Sequence, residues 1–137
     1  GGVFLAQRIK QRIEEREEVT LPAGNLDITL YRDDWSLISQ NPIVKKSDIG
    51  FLLDDKRVVL VDDVIFTGRT IRAAMDAIMD YGRPLSIQLA VLIDRGGREL
   101  PIQPDYVGMS VAPHHNERVD VLLSEKDDRD AVVLSMR

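Results

Sequence analysis

Leu5, Ile9 and Ile13 recur every fourth position between Val3 and about Glu17, with Gln7, Arg8, Lys10, Gln11, Arg12, Glu14 and Glu15 between them. That spacing predicts a surface helix with one apolar stripe. After Pro22-Ala23-Gly24-Asn25, Leu26, Ile28 and Leu30 alternate with Asp27, Thr29 and Tyr31, which predicts a strand over 26–31. Residues 32 to about 56 carry Asn41-Pro42, Lys45-Lys46-Ser47 and Gly50 without a sustained period, as a functional lid or a disordered segment does. Val58-Val59-Leu60-Val61 is then an unbroken apolar run of the kind a parallel strand buried on both faces requires, ending at Asp62-Asp63. From Thr70, the residues Ile71, Ala74, Met75, Ile78 and Met79 predict a helix, stopped by Tyr81-Gly82-Arg83-Pro84. Ile87 to Ile93 reads as another strand and ends in Asp94-Arg95-Gly96-Gly97-Arg98. Strand, helix, strand is a βαβ unit, whose right-handed crossover makes the strands parallel. Short strands are expected at 118–123 and 131–134, separated by an acidic turn.

The chain has 137 residues, 44% hydrophobic and 30% charged, with a net charge of −5. These values fit a single globular domain with one hydrophobic core, and the βαβ pattern makes its class α/β. No cysteine is present, which excludes disulfides and cysteine-ligated zinc. The longest apolar run, Leu89 to Ile93, has five residues, against roughly 20 for a membrane helix. No membrane partner is expected, and with no basic segment leading into an apolar stretch the expected setting is cytoplasmic. His114-His115 lies between Pro113 and Asn116 and is read as a pair of solvated loop residues.

Ligands of open α/β sheets bind outside the carboxyl ends of the strands. At that place the chain reads Asp62-Asp63-Val64-Ile65-Phe66-Thr67-Gly68-Arg69-Thr70. Thr67, Gly68 and Thr70 suit a phosphate monoester: a glycine for close backbone approach, N–H groups at a helix start, and two hydroxyl donors. The paired carboxylates suit sugar hydroxyls and can hold Mg²⁺ directly or through water. A phosphate at one end and a vicinal diol a few ångströms away describe a ribose 5-phosphate.

Val58 to Thr70, VVLVDDVIFTGRT, resembles the phosphoribosyl-pyrophosphate signature of the type I phosphoribosyltransferases. With Asp27 to Asp34 (DITLYRDD), Gly82-Arg83-Pro84, Gln88 to Gly96 and Arg98-Glu99-Leu100-Pro101, it is similar to the bifunctional family of pyrimidine operon attenuators with uracil phosphoribosyltransferase activity. The resemblance runs from Gly2 to about Asp120. It implies a central, mainly parallel sheet flanked by helices, with a small hood. It also implies that phosphoribosyl pyrophosphate and uracil give UMP and pyrophosphate, with Mg²⁺ as cofactor. By the same resemblance Asp62 and Asp63 hold the ribose diol and the metal, and Thr67, Gly68, Arg69 and Thr70 anchor the 5-phosphate. Val64, Ile65 and Phe66 belong to the substrate-binding stretch, where they shape the turn and one of them lines the site. Arg32, with Asp33 and Asp34, opens a loop that closes over pyrophosphate, and Asp94 and Arg95 belong to the nucleobase hood. Homodimers or higher homo-oligomers are expected. Against the family, the chain is expected to be one domain over 1–137 that lacks the N-terminal helix and first strand.

The family's other partner is leader RNA. Where attenuators read His-Arg, Pro-Ile-Arg and Gly-Lys-Asn, this chain has Gly97-Arg98, Pro101-Ile102-Gln103 and Gly108-Met109-Ser110. From Asp94 to Arg118 three arginines stand against four acids, a charge of −1. RNA affinity rests on phosphate neutralisation, so weakened RNA binding is expected. Two other readings remain: an RNA-binding pyrimidine regulator with secondary or no catalysis, and a phosphoribosyltransferase for another nucleobase.

Overall fold

In a computed structural model, residues 1–26, 49–50 and 52–136 are described. The strand expected at 26–31, most of the expected lid, and Arg32, Asp33 and Asp34 therefore lie outside the described residues, apart from Leu26 and the lid's last few positions. Among the described residues, two helices and five strands follow in the order α1 (Gly2–Glu17), β1 (Arg57–Ile65), α2 (Arg69–Tyr81), β2 (Ser86–Asp94), β3 (Tyr106–Ser110), β4 (Glu117–Leu122) and β5 (Ala131–Met136). The first three strands form a parallel sheet in the order β1-β2-β3, and β4 pairs antiparallel with β5 in a second, smaller sheet.

The βαβ unit forms as the periodicity predicts, with Val58 opposite Ile87 and Leu60 opposite Leu89. Alternation along β2 sorts its side chains between two faces. Leu89 and Val91 cluster with Ile65 and Ile71, with Leu60, Met75 and Ile102 packed against them. Ala90 and Leu92 line a small cavity with Leu5 and Ile9 of α1. The two helices thus flank opposite faces of the sheet.

Several expectations shift in detail. β1 continues through both aspartates to Ile65, and Val59 is 50% exposed, so the strand is not buried on both faces among the described residues. On α2 the buried positions are Ile71, Ala73, Ala74, Ala77 and Ile78, whereas Met79 is 57% exposed. The buried face is thus turned from the methionines toward the alanines. In α1 only Leu5 is buried; Ile9 and Ile13 line a cavity of about 490 Å³ with residues of β1 and α2. No helix among the described residues is long and apolar enough to cross a membrane.

β3 has no counterpart in the hydrophobic pattern. All five of its residues are exposed, and Gly108 interrupts it because a Cβ there would meet the Leu92 carbonyl oxygen at 2.6 Å. Its start is set by Asp105, whose N–H donates to Leu89 O (2.8 Å) while its carboxylate accepts from Leu89 N–H (2.7 Å). The smaller sheet is tied to α1 through Arg8, which pairs with Glu125 and with Asp130 (2.8 Å) in the turn before β5.

Candidate functional site

β1 delivers Asp62 and Asp63 near its carboxyl end, where Asp62 lies opposite Val91 and Ile65 opposite Asp94. Each carboxylate accepts the next backbone N–H, Asp63 N–H to Asp62 Oδ1 and Val64 N–H to Asp63 Oδ1, both at 2.8 Å. These local bonds fix the side-chain rotamers. The start of α1 closes on the pair from one side: a Cβ on Gly1 would come within 2.5 Å of Asp63 Oδ2, and one on Gly2 within 2.6 Å of Val61 O. Desolvation, with a hydrogen bond to the neighbouring Asp63 carboxyl and its charge, pushes the Asp62 carboxyl up to about 7. Two adjoining carboxylates resist carrying two charges, and a cation or a hydroxyl donor relieves the conflict.

Beyond the pair, Ile65 is 1% exposed and belongs to the core, whereas Phe66 is 39% exposed. The Arg95 guanidinium lies 4.1 Å from the centroid of the Phe66 ring, and Gly97 approaches the ring so closely that a Cβ there would overlap it. Gly68 has φ 92°, a left-handed conformation that glycine adopts without strain, and α2 starts at the next residue. Thr67 Oγ1 accepts from Arg69 N–H (3.2 Å), and the Arg69 side chain pairs with Glu99 at 2.8 Å. Thr70 is exposed at the helix start. The structure therefore brings Asp62, Asp63, Phe66, Thr67, Gly68, Arg69 and Thr70 into one corner, with Asp94 and Arg95 against them.

The segment after β2 holds this corner together. Asp94 Oδ2 accepts from Arg98 Nη2 (2.7 Å) and its Oδ1 from Gly96 N–H (2.9 Å), and Arg98 with burial opposing holds the Asp94 carboxyl below the usual carboxylate range. The Asp94 side chain thus shapes the turn. Arg95 Nη2 donates to Glu117 O at 3.2 Å. Sequence reasoning missed Arg98 as an organiser; its signal was Gly96-Gly97, both with positive φ (70° and 76°), which marks a turn folding back on itself. His114 and His115 are exposed, and Glu117 Oε1 accepts the His114 N–H at 2.8 Å.

Residues 1–124 match the phosphoribosyl transferase domain family. The chain belongs to the phosphoribosyl transferases. Within that family it is 58% identical over 135 residues to the bifunctional protein PyrR of Desulfosudis oleivorans, covering 98% of this chain and 75% of the relative. It is 57% identical over 133 residues to that of Caldicellulosiruptor bescii (97% and 73%) and 54% over 135 residues to that of Ligilactobacillus salivarius (97% and 76%). Among solved structures, a glutamic acid mutant from an analysis of an invariant aspartic acid in HPRTs superposes with a TM-score of 0.57 at 21% identity. That match covers 85% of this chain and 61% of the other, and it bears on the fold alone.

Phosphoribosyl transferases generally use Mg²⁺ with phosphoribosyl pyrophosphate, and the donor set here fits that use. Asp62 and Asp63 are hard oxygen ligands, yet no cluster of three His, Cys, Asp or Glu side chains is present among the described residues. A Mg²⁺ at this pair would take its remaining ligands from water and substrate.

Proposed function

We propose that the chain carries out the uracil phosphoribosyltransferase reaction, in which uracil N1 displaces pyrophosphate from C1 of phosphoribosyl pyrophosphate to give UMP. The observation that carries the reading is the juxtaposition in the β1–α2 corner. A hydroxyl-accepting carboxylate pair stands directly before a glycine turn and a helix start, where a phosphate is favoured. This order matches a ribose with its 5-phosphate and no longer ligand is needed to explain it.

In this reading the Asp62 and Asp63 carboxylates accept the ribose 2- and 3-hydroxyls. They also lie near the positive charge that grows on the ribose as the bond to pyrophosphate lengthens. Thr67, Gly68, Arg69 and Thr70 anchor the 5-phosphate and so fix C1 relative to the nucleobase. Mg²⁺, when bound, offsets the negative charge of the pyrophosphate group. Phe66, held between Arg95 and Gly97, walls the site on the nucleobase side. Arg32, Asp33 and Asp34 are assigned to pyrophosphate on the sequence resemblance alone.

The Asp62→Asn/Asp63→Asn double variant should release no pyrophosphate in the presence of uracil and phosphoribosyl pyrophosphate while keeping its circular dichroism spectrum. Near-normal turnover in that folded variant would falsify the assignment. Running uracil, orotate, hypoxanthine and adenine in parallel with the parent protein tests the nucleobase, since turnover confined to one of the others replaces uracil.

A further inference from the structure

We propose that Arg98 is a positioning residue for the phosphate loop. With the main chain of Glu99 and Leu100, it turns two successive peptide groups so that the Thr67 and Gly68 N–H groups face the ligand. This rests on the reading of the 67–70 loop as the phosphate anchor, and it assigns a role to a segment far from that loop in sequence.

The argument starts from peptide geometry. In a planar trans peptide the C=O and the following N–H point in opposite directions, and no peptide among the described residues is cis. Phe66 O accepts from Arg98 Nη1 at 3.0 Å. Thr67 O accepts from both Glu99 N–H (2.9 Å) and Leu100 N–H (3.2 Å). Both carbonyls therefore face the 98–100 segment, and the Thr67 and Gly68 N–H groups face the other way. Neither N–H donates to any acceptor among the described residues, although a backbone donor without a partner is costly unless water or a ligand meets it. Left to itself, a Thr-Gly turn with Gly68 at φ 92° can flip its peptides at small cost, which would aim a carbonyl oxygen at the phosphate.

Arg98 is built to prevent this. Its guanidinium is seated by Ile102 O (Nε, 2.7 Å), Asp94 Oδ2 (Nη2, 2.7 Å), Gln103 Oε1 (Nη2, 3.2 Å) and Phe66 O (Nη1, 3.0 Å), and its side chain is only 14% exposed. A planar fork with fixed donors suits this task, and a lysine, with a compact charge on a flexible stem, does not reproduce it.

The test compares the parent protein with Arg98→Ala and Arg98→Lys by equilibrium binding of ribose 5-phosphate without uracil, by KM and kcat, and by thermal melting. Arg98→Ala should weaken ribose 5-phosphate and raise KM for phosphoribosyl pyrophosphate by about tenfold or more, while KM for uracil stays within about twofold. Arg98→Lys, which keeps the charge beside Asp94, should recover part of the loss and keeps the test decisive should the alanine variant not fold. Undiminished ribose 5-phosphate binding in a folded variant overturns the proposal. So does a shift confined to uracil, or a loss that only follows the melted fraction. If the parent itself fails to bind ribose 5-phosphate, it is the phosphate reading of the loop that falls, which separates the two failures.

Discussion

A carboxyl group that holds its proton up to about pH 7 sets a pH dependence on the fold itself. Asp62 is raised from an ordinary value of 3.8 to about 7 by desolvation and by Asp63. The folded protein therefore keeps a proton that the unfolded chain releases near pH 4. The contribution of Asp62 to stability is therefore fully present below that value, falls as pH rises between about 4 and about 7, and levels off above, opposite in sign to carboxyls such as Asp94 that are held below their usual range. Asp62→Asn removes this part of the slope: relative to the parent, denaturant midpoints from pH 4 to pH 8 should converge at the acid end and be higher at pH 8, in a variant impaired in catalysis. A difference between variant and parent that does not change with pH would mean that Asp62 is not the group concerned. The residues of the corner were legible in the sequence because a signature is a local string, and Asp62 to Thr70 stand where the pattern predicted. Their electrostatics were not legible, since the shift on Asp62 arises from burial that includes the start of α1, sixty positions upstream in the chain. The part played by Arg98 was equally hidden, because a carbonyl contact leaves no mark on composition.

Among the elements, α2 shows how a correct period can give a face that is slightly rotated. Ala73 and Ala77 are fully buried at 0% exposure, so the space at these two positions is already filled. Ala77→Leu should cost about 1–3 kcal/mol by overpacking, read as a lower denaturant midpoint; a neutral result would show a looser contact than the burial implies. The helix was recognisable because its apolar stripe and its Gly82-Arg83-Pro84 terminator agree. β3 was not, because a short strand with every side chain exposed and a central Gly108 has no periodic signal, and it is held by partner spacing against β2. β1 was found but ended too early, since the charges at Asp62 and Asp63 mask a backbone ladder that runs on to Ile65.

On the scale of the molecule, charge bears on the second activity associated with the family. The three arginines between Asp94 and Arg118 are all engaged within the protein. Arg95 lies on the Phe66 ring, Arg98 is seated in its four acceptors, and Arg118 pairs with Asp120 at 3.0 Å. In a chain of net charge −5, this leaves little to neutralise phosphates on that side. We expect only a weak gel shift of a pyrimidine leader hairpin at physiological salt, with or without UMP; a nanomolar, sequence-specific shift would show that a patch elsewhere does the work. The βαβ unit and the corner at its carboxyl end agree between sequence and structure because both are assembled from near neighbours. The bracing from beyond β2 is assembled from distant ones.

That bracing has a consequence for synthesis. Phe66 and the Arg98 that holds its carbonyl are 32 positions apart, although the signature from Val58 to Thr70 is continuous. A nascent chain released only as far as α2 already displays every letter of the motif, yet the peptides after Phe66 are still free to rotate. During translation the phosphate cradle thus acquires its shape late, when β2 and the turn behind it have emerged and docked. Until then the growing protein has no preformed site at which to capture its sugar phosphate.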